Sequence, residues 1–226
     1  MKVAILVDGA FLRVKHRQLH SGRYPTAEYV HELCVNRLMS TSQLEEDFLF
    51  RVYYYDCHPF VGTLRNPITS EETEYTVPTT FLEALGHKDH FQVRAGEIKF
   101  GGWRLSDDSL KKIIDESRRI EGEDLQPAFQ QKQVDMNIGL DIAWLAQKNI
   151  VEKIILITAD SDFVPAMEFA RREGVLLYLV HLDAHIKGAM LENCDGVIRL
   201  DPMNPFIPSL PTDRSQNVTT PDNYGS

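Results

Sequence analysis

The chain alternates short, uninterrupted apolar runs with stretches whose apolar residues recur every three or four positions. The runs 3–7 (VAILV), 48–55 (FLFRVYYY), 154–158 (IILIT), 175–180 (VLLYLV) and 196–200 (GVIRL) predict strands, the continuous ones buried on both faces. Segments 26–39, 106–120, 134–148 and 164–173 carry the helical spacing. Strands alternating with helices predict βαβ units, hence a mainly parallel sheet of about five or six strands with helices on both faces. Gly96 and the pair Gly101-Gly102 interrupt 91–104, which is expected to be a strand running into a hairpin extension. Pro59, Pro67 and Pro78 cut 58–90, where only 79–86 has helical spacing; the rest reads as a long excursion over the sheet edge. From Asp201 onward Pro202, Pro205, Pro208, Pro211 and Pro221 punctuate a stretch of little apolar content, expected to be a tail, partly or wholly disordered. Residues 1–200 are therefore expected to form one domain and 201–226 a Pro-rich tail.

Length and charge narrow this further. A chain of 226 residues, 43% hydrophobic and 25% charged, suits one well-buried domain. The first apolar stretch stops at Asp8, too early for a signal peptide, and no run reaches the roughly 18 residues of a membrane span. The three cysteines are widely separated and form no CxxC pair, so a reducing, cytoplasmic setting is expected and a zinc ribbon is not. A net charge of −9 argues against broad adhesion to nucleic acid but not against a local phosphate-binding surface.

The acids fall in telling places. Ligands of open parallel sheets bind beyond the carboxyl ends of the strands, where strand order reverses. Asp8 follows one buried run, and Asp160 and Asp162 follow another. Carboxylates gathered without basic partners repel one another unless a hard cation such as Mg²⁺ or Mn²⁺ neutralises them. Taken singly, each could equally cap the helix that follows it. Asp135 opens the helical stretch 134–148 and is a candidate ligand; Asp141, about 120° further round, fits a supporting role or a solvated face. Residues 12–23 hold Arg13, Lys15, Arg17 and Arg23 with His16 and His20 and no acid, which makes either a phosphate-contacting edge or a solvated helix face. His181-x-Asp183-x-His185 reads as a surface loop, with transition-metal binding the alternative, and Tyr53 to Tyr55 as packing, with base stacking the alternative.

Several of these pieces recur together in one family. V-D-G-x-F-L at 7–12, Y-Y-Y-D at 53–56, K-x-V-D-x-x-x-x-x-D at 132–141, T-A-D-S-D-F-V-P at 158–165 and N-C-D-G-V-I-R-L at 193–200 follow one another in this order. The set resembles the LabA-like branch of the NYN domains, in the PIN-like nuclease superfamily. The resemblance implies a three-layer Rossmann-like sheet and Mg²⁺- or Mn²⁺-dependent cleavage of RNA. It makes Asp8, Asp135, Asp160 and Asp162 the metal-site carboxylates, with Asp141 supporting and RNA as the partner. Relatives usually carry Asn where this chain has Phe11, which would remove an amide able to position a phosphate or a water; Ala159 replaces a usual glycine. Two functions follow, a metal-dependent ribonuclease or a catalytically silent RNA-binding or regulatory protein of the same fold, and a homodimer is compatible with either. Other carboxylate–Mg²⁺ enzymes fit less well. A haloacid-dehalogenase-type phosphatase needs Asp at the position of Ala10, and a Toprim domain needs Glu where Asp8 stands. No P-loop and no G-x-S-x-G motif is present.

Overall fold

The computed structural model describes residues 1–76 and 80–200; the expected Pro-rich tail, 201–226, lies outside the described residues. In chain order the elements are β1 (Lys2–Asp8), α1 (Gly9–Leu19), α2 (Ala27–His31, continued by a π-type helix over Glu32–Leu38), β2 (Phe48–Cys57), β3 (Gly62–Arg65), β4 (Glu72–Tyr75) and α3 (Thr80–Gly86). There follow β5 (Phe91–Leu105), α4 (Asp107–Glu116), β6 (Leu125–Lys132), α5 (Val134–Gln147), β7 (Lys153–Ile157), α6 (Val164–Arg172), β8 (Leu176–Val180), α7 (Gly188–Glu192) and β9 (Gly196–Val197). The main sheet has seven strands in the order β6-β5-β2-β1-β7-β8-β9. All neighbours are parallel except β5 and β6. Helices cover both faces, as expected of the three-layer α/β class.

β1 lies at the centre because its side chains can go nowhere else. Val3 to Val7 have no solvent exposure at all, and a strand buried on both faces needs parallel neighbours and a helical layer above and below. Val3, Ile5 and Val7 face the layer built on α1, α2 and α3, where Leu12, Val30, Leu33 and Leu85 meet them. Ala4 and Leu6 face Ile138, Ile142 and Leu145 of α5 and Met167 of α6. Each fully buried Leu, Ile or Val of this kind contributes roughly 1.5–3 kcal/mol relative to exposure. Helix α5 is apolar beyond its inward stripe: Met136, Leu140 and Trp144 recur at four-residue spacing on the outer face and stay exposed.

The edges differ from expectation. The 91–104 segment does not fold back on itself as a hairpin. β5 runs unbroken, the Gly101-Gly102 pair is absorbed as an irregularity between Phe100 and Trp103, and the returning strand β6 arrives only after α4. Gly96 serves close approach rather than a turn, since a Cβ there would stand 2.5 Å from the Lys132 carbonyl oxygen. The excursion 58–90 also has more order than its prolines suggest. β3 and β4 pair as a small antiparallel sheet, and Phe60 and Tyr75 pack on Phe129 of β6 with ring centroids 5.1 and 5.7 Å away.

Gly9, directly after Asp8, lets α1 start hard against the sheet. A Cβ there would lie 2.6 Å from the Tyr55 carbonyl oxygen and 2.8 Å from the Tyr54 ring. Gly9→Ala is expected to destabilise the protein by about 1–3 kcal/mol in urea unfolding. Gly188→Ala, where an added Cβ meets nothing within 4 Å, is expected to leave the midpoint within error. Equal effects of the two would refute the packing account.

Candidate functional site

The order of the strands puts the first half of the parallel sheet on one side of β1 and β7 with its successors on the other. The crevice therefore opens between the carboxyl ends of β1 and β7. Asp8 closes β1 there, and Thr158, Ala159 and Asp160 follow β7. Asp8 is 8% exposed, and both its carboxylate oxygens are already held. Oδ1 accepts from the Phe11 backbone N–H at 3.0 Å, so Asp8 is also the N-cap of α1. Oδ2 accepts from the Thr158 hydroxyl at 3.0 Å. That hydroxyl in turn accepts from the Asp160 backbone N–H at 3.2 Å, which ties the two strand ends together. Asp160 caps the short 3₁₀ turn Ser161–Phe163 by accepting from the Asp162 N–H at 2.9 Å. The capping geometry and the clustering of acids thus coexist.

The electrostatics are one-sided. Burial pushes the Asp8 carboxyl up to about 6, the Phe11 and Thr158 hydrogen bonds oppose this, and the charges of Asp135 and Asp160 add to it. Asp135, on the exposed first turn of α5, is pushed up by lost hydration and then by Asp160 and Asp162. The charges that push these two carboxyls up are those of neighbouring acids. Asp8 thus feels Asp135 and Asp160, and Asp135 feels Asp160 and Asp162. Among the described residues, no three acids, histidines or cysteines stand close enough together to hold an ion as they are. The donor set fits a hard divalent cation in chemistry and in charge; its present spacing does not make a chelate.

The remaining candidate residues lie elsewhere. Asp141 is not beside the cluster. It sits on the buried side of α5, where Tyr55 Oη donates to it at 2.8 Å and Arg94 grips it twice, Nε at 2.8 Å and Nη2 at 2.7 Å. Arg13 is turned toward β2 and donates to the buried Asp56 at 2.7 Å; burial still pushes the Asp56 carboxyl up against that pairing. Arg17 lies over the Tyr24 ring at 4.9 Å, while Lys15 is half-exposed on α1. His16 and His20 face each other at 4.2 Å and lean on Tyr29. Part of the 12–23 segment therefore points inward. The Phe11 ring packs against the apolar layer over β1, and only its backbone reaches Asp8. Tyr54 and Tyr55 are fully buried, Tyr53 nearly so. His181 does not join a metal group; its Nδ1 meets the Ala184 carbonyl oxygen at 2.8 Å, closing a turn. Sequence reasoning overlooked three participants: Thr158, Arg94, and Lys187, whose Nζ donates to the Ser161 hydroxyl at 2.8 Å.

This is the arrangement of a PIN-like α/β domain, with acids gathered at the switch point of a parallel sheet. Residues 96–201 match the NYN domain family. The matched residues include Asp135, Asp160 and Asp162, while β1 with Asp8 precedes them. The chain is also similar in fold to a crystal structure of a protein of unknown function from Vibrio parahaemolyticus. That similarity has a TM-score of 0.49 and 16% identity, over 88% of this chain and 93% of the other. No curated protein matches the chain. Among the described residues, no helix is long and apolar enough to cross a membrane.

Two outcomes follow from this geometry. Asp8 holds its proton more tightly folded than unfolded, so its charged form opposes folding. Its contribution to stability is full below the ordinary value of 3.8 and is lost as pH rises through about 6. In EDTA, the melting temperature of the wild type is expected to fall between about pH 4 and 6, and Asp8→Asn to flatten that slope, by about 3 kcal/mol at most. Parallel pH curves for the two proteins would contradict the burial of Asp8. Separately, Asp141→Ala strips Arg94 and Tyr55 of their acceptor. Chemical unfolding should register a loss of about 1.5–3 kcal/mol; an unaltered midpoint would remove Asp141 from the structural framework.

Proposed function

We propose that this protein is a divalent-metal-dependent ribonuclease whose site is the acid cluster at the ends of β1 and β7. One observation carries the reading. A buried carboxylate, Asp8, is fixed by two hydrogen bonds at the switch point, and the charges of Asp135 and Asp160 add to the rise that burial causes. Carboxylates that raise one another's charge cost make a cation with oxygen ligands the natural complement. Asp8, Asp135, Asp160 and Asp162 would hold Mg²⁺ or Mn²⁺, with Asp135 and Asp162, both exposed, free to draw inward. Bound there, such an ion supplies Lewis-acid activation of a water and neutralises charge developing on a phosphodiester. The chain's part is to keep Asp8 oriented through Phe11 N–H and Thr158, and to present Lys15 and Arg17 of α1 to the RNA backbone. Arg13 secures α1 to β2 through Asp56 and reaches RNA only at the expense of that pair. The match of residues 96–201 to the NYN domain supports RNA as the polymer.

A second reading has its own observation. At position 11 the chain offers a backbone N–H and an apolar ring, with no side-chain donor for a phosphate or a water. This favours a catalytically silent RNA-binding or regulatory protein of the same fold.

One assay separates the two: purified protein with labelled single-stranded and structured RNA in Mn²⁺, Mg²⁺ or EDTA. Cleavage in Mn²⁺, absent in EDTA and reduced roughly 10²-fold or more by Asp8→Asn or Asp160→Asn, is the expected result. Mn²⁺ should also raise the melting temperature by mass action, and less so in Asp160→Asn. RNA binding without cleavage of any substrate, in wild type and variants alike, would hand the protein to the silent reading. Cleavage undiminished by Asp8→Asn would place the chemistry elsewhere.

A further inference from the structure

The acid cluster has a basic neighbour that the aspartates themselves do not use. Beyond β8, residues 181–187 form a loop at the same carboxyl end of the sheet. Its shape is tightly determined. Leu182 and Asp183 take successive left-handed conformations, with φ of 45° and 57°, an uncommon choice for Leu that the surroundings must enforce. Leu182 is 6% exposed and anchored in the apolar layer that also holds Val7 and Leu12. The Ala184 N–H donates to the His181 carbonyl oxygen at 2.8 Å and the His181 ring closes on the Ala184 carbonyl oxygen. Ile186 packs against the opposite layer, and Met190 of α7, fully buried, fixes the far end. The loop therefore crosses the end of the sheet pinned to both hydrophobic layers. Lys187, last before α7, is delivered to the 3₁₀ turn that carries Asp160 and Asp162.

There Nζ donates to Ser161 Oγ at 2.8 Å. Lys187 is exposed, and an exposed ammonium held by a neutral hydroxyl adds little to stability while restraining a rotamer-rich side chain. The ammonium has three donors, and Ser161 takes one. A positive charge parked on the hydroxyl between two acids, with donors to spare, suits an anion that arrives with the substrate.

We propose that Lys187, positioned by Ser161, is the residue that takes a non-bridging phosphate oxygen of single-stranded RNA at the rim of the acid cluster. This assignment rests on the nuclease reading above and adds a substrate contact to it. Lysine serves here as a point charge, so it orients the backbone without reading sequence. Bonded to Ser161, it holds the strand against the turn whose carboxylates face the crevice. That places a phosphate beside the acids without asking the acids to bind it.

The test uses the full chain, a fluorescently labelled single-stranded oligoribonucleotide and Ca²⁺, with binding followed by anisotropy across a salt series. Lys187→Met is expected to weaken binding of unrelated sequences alike and to lower the slope of log affinity against log salt by about 0.7. Lys187→Arg, which keeps the charge, should restore the slope. Both variants should keep the wild-type melting temperature and the wild-type Mn²⁺-induced melting shift. If the wild type binds RNA and Lys187→Met binds with the same slope, the assignment is overturned and the nuclease reading stands. If Lys187→Met loses the Mn²⁺ shift, Lys187 shapes the metal pocket rather than the RNA path, and the assignment is likewise wrong. If the wild type binds no RNA at any salt, both readings fall together.

Discussion

The strand β1 has no solvent-facing side, and the rest of the architecture answers to that. A five-residue apolar run with zero exposure requires parallel partners on both edges and helices on both faces. Satisfying it divides the molecule into two apolar layers that meet only through the sheet. Where the run ends, the packing ends too, and Asp8 is the first polar side chain at that boundary. Its position is thus a by-product of hydrophobic burial, and its hydrogen bonds to Phe11 and Thr158 fix its direction. A carboxylate there is costly to ionise, and the neighbouring acids raise that cost.

Two ion pairs hold the helices around this point without entering it. Arg13 ties α1 to the end of β2 through Asp56, and Arg94 of β5 with Tyr55 of β2 ties down α5 through Asp141. The first couples its helix to β2, beside β1, and the second to β5, one strand further out, with Tyr55 of β2 joining it. The two helices that carry, or directly follow, candidate ligands are thus clamped from the flanking strand side. The crevice side carries the acids, with Lys187 reaching Ser161 at its rim. Basic and acidic residues are sorted by role: those that pair build the frame, and those that do not pair crowd the opening.

The parts of this arrangement that could be read from sequence are those fixed by burial. The runs at 3–7, 154–158 and 175–180 are continuous because both faces of those strands are covered, and the acids that follow the first two marked the crevice. What stayed hidden depends on distant partners. β3, β4 and β6 are short and largely polar, with sequences such as GTLR and ETEY that carry no period; cross-strand aromatic contacts around Phe60, Tyr75 and Phe129 account for them. Helical spacing located α5 but could not tell which acid faced inward. Asp141 owes its place to Arg94, 47 residues away. Similarly, basic residues after Asp8 suggested a phosphate-facing edge, but Arg13 found a buried acid within reach. Lys187 had no signal at all, because only the pinned loop after β8 brings it to Ser161.

The hydroxyl of Thr158 joins two strand ends that are 150 residues apart in the chain. That separation sets an order of events. When the chain is made from its N-terminus, β1 and α1 are complete while β7 and its acids are still unsynthesised, so Asp8 waits with its Thr158 contact unmade. The crevice closes only when a loop of that length has been brought together, a slow step by the logic of non-local contacts. Until then β1, the most apolar strand, lacks one of its two neighbours and exposes an edge on which other chains could pair. Production of this protein is therefore most vulnerable to aggregation during the interval in which the acid cluster does not yet exist.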